Sequence, residues 1–334
     1  ENRMSAQGKS YVIAGGASLI GSHITERLLA EGAGKITLFD NFSLGTPAIV
    51  EPLLKDPRVR LVRGDLLRIN ELYDAFEGAD GVFAVAAFLT IPLAANPSLG
   101  LDVNVRGMQN LVEACRYRGV RKVVFSSSVA VYGQDETPGF SEDRPMGWQG
   151  LQPAGALYAA SKAIGESLLR LYKQKHGLDY VALRYSTVYG ERQHYRGVNA
   201  LYIIEAYDAI RSGRSPVLPG DGSEVHDYIY VGDVARANVL AMTSAVSGES
   251  FNIVSGRDET LNDVVATLLR ITGSPVKPEY RDDPTRVRFT TTASLQYRRD
   301  KAERLLGWVP EVGLEEGIRR LVTWIERDRG NAGG

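Results

Sequence analysis

Tyr158 and Lys162 are the pair of residues whose types and spacing point most directly to chemistry. They lie in a stretch, residues 156–176, whose apolar residues recur at helical spacing. Residues four apart emerge on the same face of a helix, so the phenol and the ammonium group would be neighbours. A fixed ammonium group favours the phenolate and lowers the pKa of the phenol towards the range in which it acts as a base. The pair therefore predicts a proton-transferring centre, although ordinary surface helices also carry such pairs.

The composition is that of an ordinary globular protein. The chain has 334 residues, a formal net charge of −1 and 24% charged residues. This length suits two domains or one large α/β unit. No basic run with interleaved aromatic residues occurs, so we expect no nucleic-acid partner. The single cysteine, Cys115, allows neither an internal disulfide nor a cysteine metal cluster, and the histidines show no ligand spacing. We therefore expect no metal site.

The hydropathy of the chain bears on its location. No apolar stretch reaches the length of a membrane span. The first residues also lack the apolar core of a signal peptide. We therefore expect a cytoplasmic protein without a membrane partner.

Short apolar segments alternate with helical patterns through the first part of the chain. The predicted strands are residues 11–14, 35–40, 59–64, 82–87, 123–125 and 180–185. Continuously apolar strands that alternate with helices predict a parallel sheet covered on both faces. The predicted fold class is therefore α/β, a doubly wound parallel sheet of Rossmann type.

A glycine-rich turn follows the first predicted strand and opens a helix. Its sequence at residues 15–21 is Gly-Gly-Ala-Ser-Leu-Ile-Gly, in the context that makes such a turn indicative of dinucleotide binding. Gly15 suits the tight turn, and the helix N-terminus offers N–H groups to a pyrophosphate. Asp40 is placed to accept hydrogen bonds from the adenosine ribose, and its charge would repel a 2′-phosphate. We therefore expect NAD rather than NADP.

After Gly190 the pattern changes to helices separated by irregular stretches rich in Gly, Pro and Asp. This change predicts a smaller mixed α/β domain at the C-terminal side. The NAD-binding domain is predicted to span residues 8–187, joined by residues 228–248. Residues 188–227 and 249–330 are predicted to form the substrate-binding domain.

These motifs and several later ones resemble those of the extended short-chain dehydrogenase/reductase family, and within it the NAD-dependent epimerases and dehydratases. The resemblance includes Asp-Asn-Phe-Ser-Leu-Gly at residues 40–45, Gly-Asp-Leu at 64–66, the triple-Ser segment at 126–133 and Leu-Leu-Gly-Trp at 305–308. It spans nearly the whole chain in order. Among the members of the family, the chain is most similar to UDP-galactose (UDP-glucose) 4-epimerases.

The resemblance implies cofactor contacts along the ends of the predicted strands and the turns that follow them. Ser18 departs from the family pattern, because a glycine usually stands there. The expected NAD-binding residues are Gly15, Ser18, Leu19, Ile20, Gly21, Asp40, Asn41, Phe42, Ser43, Gly45, Asp65, Leu66, Val85, Ala86, Ala87, Asn104, Ser126, Tyr158, Lys162, Tyr185 and Ser186.

The resemblance also implies the catalytic roles. Tyr158 would take the proton of a hydroxyl group as its carbon gives up a hydride, and Ser128 would hydrogen-bond the same oxygen. Lys162 would stabilise the phenolate. Ser127 is an alternative to Ser128, because adjacent strand residues face opposite ways.

The two positions after Ser128 bear on the reaction. The 4,6-dehydratases of the family carry an Asp-Glu pair there and the decarboxylases a Glu, whereas this chain has Val129 and Ala130. The 3,5-epimerases use a cysteine beside that position, and Cys115 lies elsewhere. The resemblance therefore implies a nucleotide-sugar 4-epimerase, which oxidises C4 transiently and returns the hydride to the opposite face. The alternatives are a net dehydrogenase or reductase of a sugar nucleotide or another secondary alcohol, and a non-catalytic nucleotide-binding regulator on the same fold.

The substrate side departs from the family pattern. Thr187 replaces an Asn that contacts the substrate phosphate, and His226, which carries no permanent charge, replaces an Arg that pairs with the diphosphate. The expected substrate-binding residues are Ser128, Tyr158, Thr187, Asn199, Val217, His226 and Arg288. The missing charge could come from Arg192, Arg281, Arg286 or Arg288, and His194 lies near the expected cleft. The resemblance further implies a UDP-linked sugar as substrate, and a homodimer formed through the helix pair that includes residues 156–176.

Overall fold

A computed structural model describes residues 5–135, 137–193, 201–282, 284 and 291–332. Its strands are β1 (Ser10–Ala14), β2 (Lys35–Asp40), β3 (Val59–Arg63), β4 (Gly81–Ala84), β5 (Lys122–Ser128), β6 (Asp179–Tyr185), β7 (Thr187–Tyr189), β8 (Val217–Pro219), β9 (Val225–His226), β10 (Tyr228–Tyr230), β11 (Glu249–Ile253), β12 (Glu259–Thr260) and β13 (Glu279–Arg281).

The helices surround these strands. They are α1 (Leu19–Ala30), α2 (Pro47–Val50), α3 (Ile69–Ala75), α4 (Thr90–Ala95), α5 (Pro97–Leu101), α6 (Met108–Arg118), α7 (Pro153–His176), α8 (Leu201–Arg211), α9 (Val231–Thr243), α10 (Leu261–Thr272), α11 (Asp300–Leu306) and α12 (Leu314–Ala332). A π-helical segment, Asp102–Gly107, joins α5 to α6, and 3₁₀ turns occupy Leu53–Lys55 and Val129–Tyr132.

Seven parallel strands form the central sheet, in the order β11-β6-β5-β4-β1-β2-β3. The chain begins in the middle at β1, runs outward through β2 and β3, and then crosses over to β4. Such a reversal of direction leaves a crevice beyond the carboxyl ends of the central strands, where ligands bind in sheets of this kind. The predicted doubly wound parallel sheet is confirmed.

Alternate residues of β1 belong to the cores on opposite faces of the sheet. Tyr11 and Ile13 pack in the cluster that contains α1 and α9, whereas Val12 and Ala14 pack in the cluster that contains α3, α6 and α7. This follows from the two-residue period of a strand. Both faces are apolar because both are covered, as expected for a parallel sheet.

Two departures from the predicted strands bear on the domain division and on the clefts. β11, which the predicted division places in the substrate-binding domain, pairs with β6 as an edge strand of the central sheet. β4 ends at Ala84 instead of continuing to Ala87, because the N–H groups of Val85 and Ala86 both donate to Ala14 O, at 2.9 and 2.8 Å. The chain therefore leaves the sheet at Val85. The rest of the division into two domains remains our proposal.

Short strand pairs lie outside the central sheet. β7 pairs with β10, β9 with β12 and β8 with β13. The first two pairs bring the segment after β6 and the segment before α9 to the carboxyl edge of the central sheet. No helix in the described part of the chain combines the length and the apolar character needed to cross a membrane.

Candidate active site

Two adjoining clefts open at the carboxyl ends of the central strands. The first cleft is lined by the β1–α1 turn and by the ends of β2, β3 and β4. The second cleft is lined by the end of β5, by α7 and by the loops near β9. Ile20, Val85, Ala87 and Leu89 line both clefts, which are therefore continuous.

The β1–α1 turn needs glycine at two positions. Gly15 has a φ of 92°, and a Cβ there would lie 2.6 Å from the backbone nitrogen of Ala86. A Cβ on Gly21 would collide with Gly15 O. The turn can therefore run directly beneath the first cleft only with glycine at both positions.

Ser18 has a specific role in this turn. It is the N-cap of α1, and its Oγ accepts a hydrogen bond from Gly21 N at 3.0 Å and donates to Gly15 O at 2.6 Å. A side chain bound in this way lies against its own turn. Ser18 therefore replaces the family glycine while adding a helix cap, and the N-terminus of α1 still faces the first cleft at Leu19 and Ile20.

Asp40 ends β2 at the wall of the first cleft. Its Oδ2 accepts from Ala17 N at 2.9 Å, and its Oδ1 accepts from Phe42 N at 2.8 Å. Burial raises the pKa of Asp40, and these two hydrogen bonds oppose the rise. Each carboxylate oxygen keeps a second acceptor site. Asp40 is thus oriented to accept hydrogen bonds from vicinal hydroxyl groups.

Most of the predicted NAD-binding residues lie together in the first cleft. Those that line it are Gly15, Ser18, Leu19, Ile20, Asp40, Asn41, Ser43, Gly45, Asp65, Leu66, Val85, Ala86 and Ala87. Gly21 and Phe42 do not line it, and Phe42 has a φ of 59° with the guanidinium of Arg63 5.0 Å from its ring centre. The glycine turn, the helix N-terminus and the oriented carboxylate together fit a dinucleotide.

Asn104 holds the backbone of the loop after β4. Its Oδ1 accepts from Phe88 N at 2.7 Å, and its Nδ2 donates to Phe88 O at 2.9 Å and to Ser161 Oγ at 3.2 Å. Ser161 precedes Lys162 in α7. The side chain of Asn104 therefore ties the wall shared by the two clefts to the helix that carries Tyr158 and Lys162.

Tyr158, Lys162 and Ser128 meet in the second cleft. α7 begins at Pro153, which suits a first helical turn, and ends before Gly177, which has a φ of 69°. Lys162 Nζ lies 5.7 Å from the centre of the Tyr158 ring and donates to Ser126 O at 2.7 Å. Ser128 lines the same cleft and lies close enough to Tyr158 for its hydroxyl to favour the phenolate. The predicted catalytic residues thus form one group.

Burial dominates the ionisation of this group. It raises the pKa of Tyr158 to about 12, against the opposing hydrogen bond from Ser128. It lowers the pKa of Lys162 to about 8, against the charge of Glu166. The pKa of the phenol in the polypeptide alone therefore lies above its ordinary value, opposite to the expected lowering, because burial is the largest influence on it. A phenolate at neutral pH therefore needs a further positive charge.

The two candidate serines point in different directions, as strand geometry requires. Ser128 faces Tyr158, and its Oγ also accepts from Ala130 N at 3.1 Å. The hydroxyl of Ser127 donates to Glu166 Oε1 at 2.6 Å. Ser126 Oγ and Tyr185 OH are 3.0 Å apart, and Ser126, Tyr185 and Ser186 line the second cleft.

The predicted substrate-binding residues are only partly brought together. Thr187 and His226 line the second cleft with Ser128 and Tyr158. Val217 does not line either cleft, and it is 44% exposed on β8. Asn199 and Arg288, together with His194 and Arg286, lie outside the described residues.

The charges on the substrate side are engaged within the protein. His226 Nε2 shares a hydrogen bond of 2.6 Å with Oε1 of the buried Glu224. Arg192 forms two hydrogen bonds with Glu26, at 2.8 and 2.7 Å. Arg281 is exposed on β13 and pairs with Glu279. Neither Arg192 nor Arg281 lines the second cleft.

Several residues of the second cleft were not predicted. Leu295 and Tyr297 come from a segment far along the chain, and no local motif marks them. Asp227 accepts from Ser186 Oγ at 2.6 Å and from the N–H groups of Ser255 and Gly256, at 2.8 and 2.7 Å. One sequence signal could have indicated Asp227: it directly follows His226 in a motif typical of the family.

Comparison with known proteins places this site in a family. The sequence profile of the NAD dependent epimerase/dehydratase family matches residues 11–254, which contain both clefts except for Leu295 and Tyr297. The chain belongs to this family. It is therefore an NAD-dependent enzyme of the nucleotide-sugar epimerase/dehydratase type. The UDP-glucose 4-epimerase of Mycolicibacterium smegmatis is 33% identical over 94% of this chain and 97% of that protein.

Other members of the family catalyse different reactions at similar identity. The UDP-N-acetyl-alpha-D-glucosaminuronate decarboxylase of Bacillus cytotoxicus is 29% identical over 96% of this chain and 99% of that protein. The family membership therefore establishes the cofactor and the type of enzyme, and the reaction has to be argued from the site.

Solved structures share the fold throughout. The UDP-glucose 4-epimerase of Thermotoga maritima, solved with UDP-glucose, is 28% identical with a TM-score of 0.85, over 96% of this chain and 99% of that one. The UDP-glucose 4-epimerase of Thermus thermophilus, solved with NAD, is 33% identical with a TM-score of 0.79, over 95% of this chain and 99% of that one.

Proposed function

We propose that this chain is a nucleotide-sugar 4-epimerase that holds NAD tightly in the first cleft and its sugar in the second. One observation carries the choice of reaction: Val129 and Ala130 follow Ser128 and line the second cleft. The family resemblance implies that elimination or decarboxylation needs a further acid or base at this place. Neither of these side chains can move a proton.

One acidic side chain does line the second cleft, but we do not assign it to this proton transfer. Among the described residues that line this cleft, the carboxylate is that of Asp227. Burial raises its pKa, and it already accepts hydrogen bonds from Ser186 Oγ and from two backbone N–H groups. We therefore assign Asp227 to holding the loops together. The proton transfers are left to Tyr158.

The proposed roles follow from the geometry. NAD, when bound, supplies reversible hydride acceptance and a positively charged ring. Tyr158 takes the proton of the C4 hydroxyl and later returns it, and Ser128 hydrogen-bonds the same oxygen. Lys162 keeps a positive charge near the phenolate. Because the pKa of Tyr158 is raised to about 12 in the polypeptide alone, the proposal requires the bound cofactor to make Tyr158 an effective base.

A UDP-linked hexose is the proposed substrate, because similar proteins with the same fold are UDP-glucose 4-epimerases. The second candidate is a net dehydrogenase of a sugar nucleotide or of another secondary alcohol. His226 favours this second candidate. Its ring is hydrogen-bonded to Glu224, whereas the family pattern has at that position an Arg whose charge is available to the substrate.

One experiment separates these functions. The purified protein is denatured to test for released NAD. A second sample is incubated without added cofactor, and a third with excess NAD, because a net dehydrogenase consumes one NAD in each turnover. The substrates are UDP-glucose, UDP-galactose, and their N-acetyl and uronic-acid forms. Proton NMR that shows interconversion of C4 epimers supports the epimerase. A keto product that accumulates together with NADH supports the dehydrogenase and contradicts the epimerase. Bound NAD with no turnover of any substrate contradicts both for these sugars.

A homodimer completes the proposal. Ile164 and Leu171 are seven residues apart on one face of α7, and both are exposed. Leu99 of α5 and Tyr117 of α6 are also exposed. We propose that this apolar helical surface pairs with a second copy of the chain. Light scattering should give twice the chain mass for the wild type and the chain mass for Ile164→Lys; a monomeric wild type would contradict the proposal.

A further inference from the structure

Two contacts between β5 and α7 involve the proposed catalytic residues. The backbone carbonyl of Ser126 accepts a hydrogen bond from Lys162 Nζ at 2.7 Å. The hydroxyl of Ser128 lies beside Tyr158 in the second cleft and favours its ionised form. The residue between these two serines therefore shares one peptide bond with the carbonyl that holds Lys162 and another with the residue that faces Tyr158.

That residue, Ser127, makes a third contact with the same helix. Its Oγ donates to Glu166 Oε1 at 2.6 Å, and both residues are only 2% exposed. Glu166 lies four residues after Lys162, as Lys162 lies four after Tyr158, so the three side chains share one face of α7. Three consecutive residues of the strand thus contact three successive turns of the helix.

Glu166 is a fixed acceptor for this contact. Arg184 donates to its two oxygens from Nε and Nη2, at 2.9 and 2.8 Å, and Ser250 Oγ donates to Oε2 at 3.0 Å. Arg184 also donates from Nη1 to Tyr132 OH at 2.9 Å. A buried ion pair is tolerated when its polar atoms are satisfied in this way. Ser127 is therefore anchored to a carboxylate that is held from two other strands.

We propose that Ser127 is a positioning residue: its hydrogen bond to Glu166 fixes the end of β5 so that the Ser126 carbonyl holds Lys162 and Ser128 faces Tyr158. This inference rests on the proposed function, because it takes Ser128, Tyr158 and Lys162 as the reacting group. β5 ends at Ser128, so the sheet ladder does not continue beyond the residue to be positioned. Small displacements of a reacting group have large effects on the rate of the chemical step.

The chain offers a matched control. Ser127→Ala and Ser250→Ala each remove one hydroxyl that donates to the same carboxylate, and Ser250 lies on the edge strand β11, away from the proposed catalytic group. We expect kcat of Ser127→Ala to fall about tenfold, with KM and bound NAD unchanged, because only the chemical step loses its alignment. Ser250→Ala should keep kcat within about twofold.

The same comparison distinguishes positioning from general stability. Both variants lose one hydrogen bond to Glu166, so their melting temperatures should fall by similar amounts. Ser127→Thr keeps the hydroxyl and should restore most of the rate. Equal kcat values for Ser127→Ala and Ser250→Ala, or a loss of kcat that follows the melting temperature in both, would overturn the inference.

A second readout is independent of the substrate. The ionisable groups around Lys162 are Tyr158, whose ring centre lies 5.7 Å away, Glu166, and Tyr185, which lines the same cleft. Loosening the Ser126 carbonyl should lower the pKa of Lys162 in Ser127→Ala, measured by NMR of labelled lysine in the NAD-bound enzyme, and leave it unchanged in Ser250→Ala. Equal values would overturn the inference even if no sugar is turned over, whereas a wild type without epimerase activity contradicts only the proposed function.

Discussion

The two clefts are built in different ways. Much of the first cleft is shaped by the backbone of one βαβ unit, which carries the turn at Gly15, the helix N-terminus beside Ser18 and the loop after Asp40. The ends of β3 and β4 complete this cleft. The second cleft is lined by side chains from segments far apart in the chain, such as Tyr158, His226 and Tyr297. A site made by one local motif is constrained by its fold, whereas a site assembled from distant side chains can change one residue at a time. The cofactor is therefore shared by the family, and the substrate is where this chain can differ.

The largest effect is expected from changing Tyr158, the proposed base, because this change should affect the second cleft and leave the first cleft intact. Tyr158→Phe removes one oxygen from a side chain of the second cleft, so folding and NAD binding in the first cleft should be retained. Turnover should fall by about a thousandfold, within the range for loss of a general base. Steady-state rates and the NAD content of the purified variant test this. Retained activity would show that Tyr158 is not the base.

A pH experiment measures how much the free energy of unfolding is reduced by burying the ammonium group of Lys162 beside the second cleft. Burial lowers the pKa of Lys162 from 10.5 to about 8 in the folded protein, so the unfolded chain binds more protons between these values. The free energy of unfolding of the wild type should then rise with pH through this window, relative to Lys162→Met, by about 3 kcal/mol in total. Urea titrations of both proteins at several pH values give the difference. A difference that stays flat, or changes in the opposite direction, would contradict the buried, weakened ammonium.

The backbone-built cleft should be sensitive to a single methyl group. Gly15→Ala places a Cβ at a φ of 92° and against Ala86 N, and a strained position of this kind costs about 1–3 kcal/mol. NAD affinity should fall by about ten- to a hundredfold, as measured by fluorescence titration. Gly313→Ala is the matched control, because no atom lies within 4 Å of the added Cβ. Equal effects of the two changes would show that the turn tolerates a side chain.

The difference between the two clefts also determines which parts of the structure the sequence predicts. The turn at residues 15–21 and the alternation of apolar strands define the sheet and the first cleft, because both are local patterns. The sequence does not predict β11 as part of the sheet. This strand lies in the predicted substrate-binding domain, and only its pairing with β6 places it in the central sheet. The sequence also cannot decide between Ser127 and Ser128, since their directions depend on the register of β5 against α7.

On the substrate side, the sequence predicts fewer of the residues than it does on the cofactor side. The resemblance assigns Val217 to the substrate; β8 pairs with β13 and leaves this side chain exposed, so the assignment stays a prediction. Tyr297 carries no motif, and its ring reaches the second cleft while lying 5.3 Å from the ring of Phe140. Such contacts depend on tertiary packing between segments that the sequence does not connect.

A smaller effect is expected where a side chain assists the backbone of the first cleft. Asp40→Ala removes the proposed ribose acceptor and the anchor of the Ala17 and Phe42 N–H groups. NAD affinity should fall about tenfold, since hydrogen bonds to charged groups contribute about 1.5–3 kcal/mol. Discrimination against NADP should decrease, because the repelling charge is lost. The ratio of the two dissociation constants measures this, and an unchanged ratio would contradict the assigned role.

The smallest expected effect concerns His226, where this chain departs from its family. The ring lies beside Glu224 at 2.6 Å, so the substrate would meet a paired histidine and carboxylate instead of a free cation. His226→Gln keeps a donor for Glu224 but removes the ionisable ring, and the buried carboxylate is then less compensated. KM for a UDP-sugar should rise about fivefold, the equivalent of roughly 1 kcal/mol, with kcat and NAD affinity unchanged. His226→Arg supplies a permanent charge and should lower KM instead. If both changes leave KM unaltered and reduce kcat, His226 acts on the chemical step, and its assignment to substrate binding is wrong.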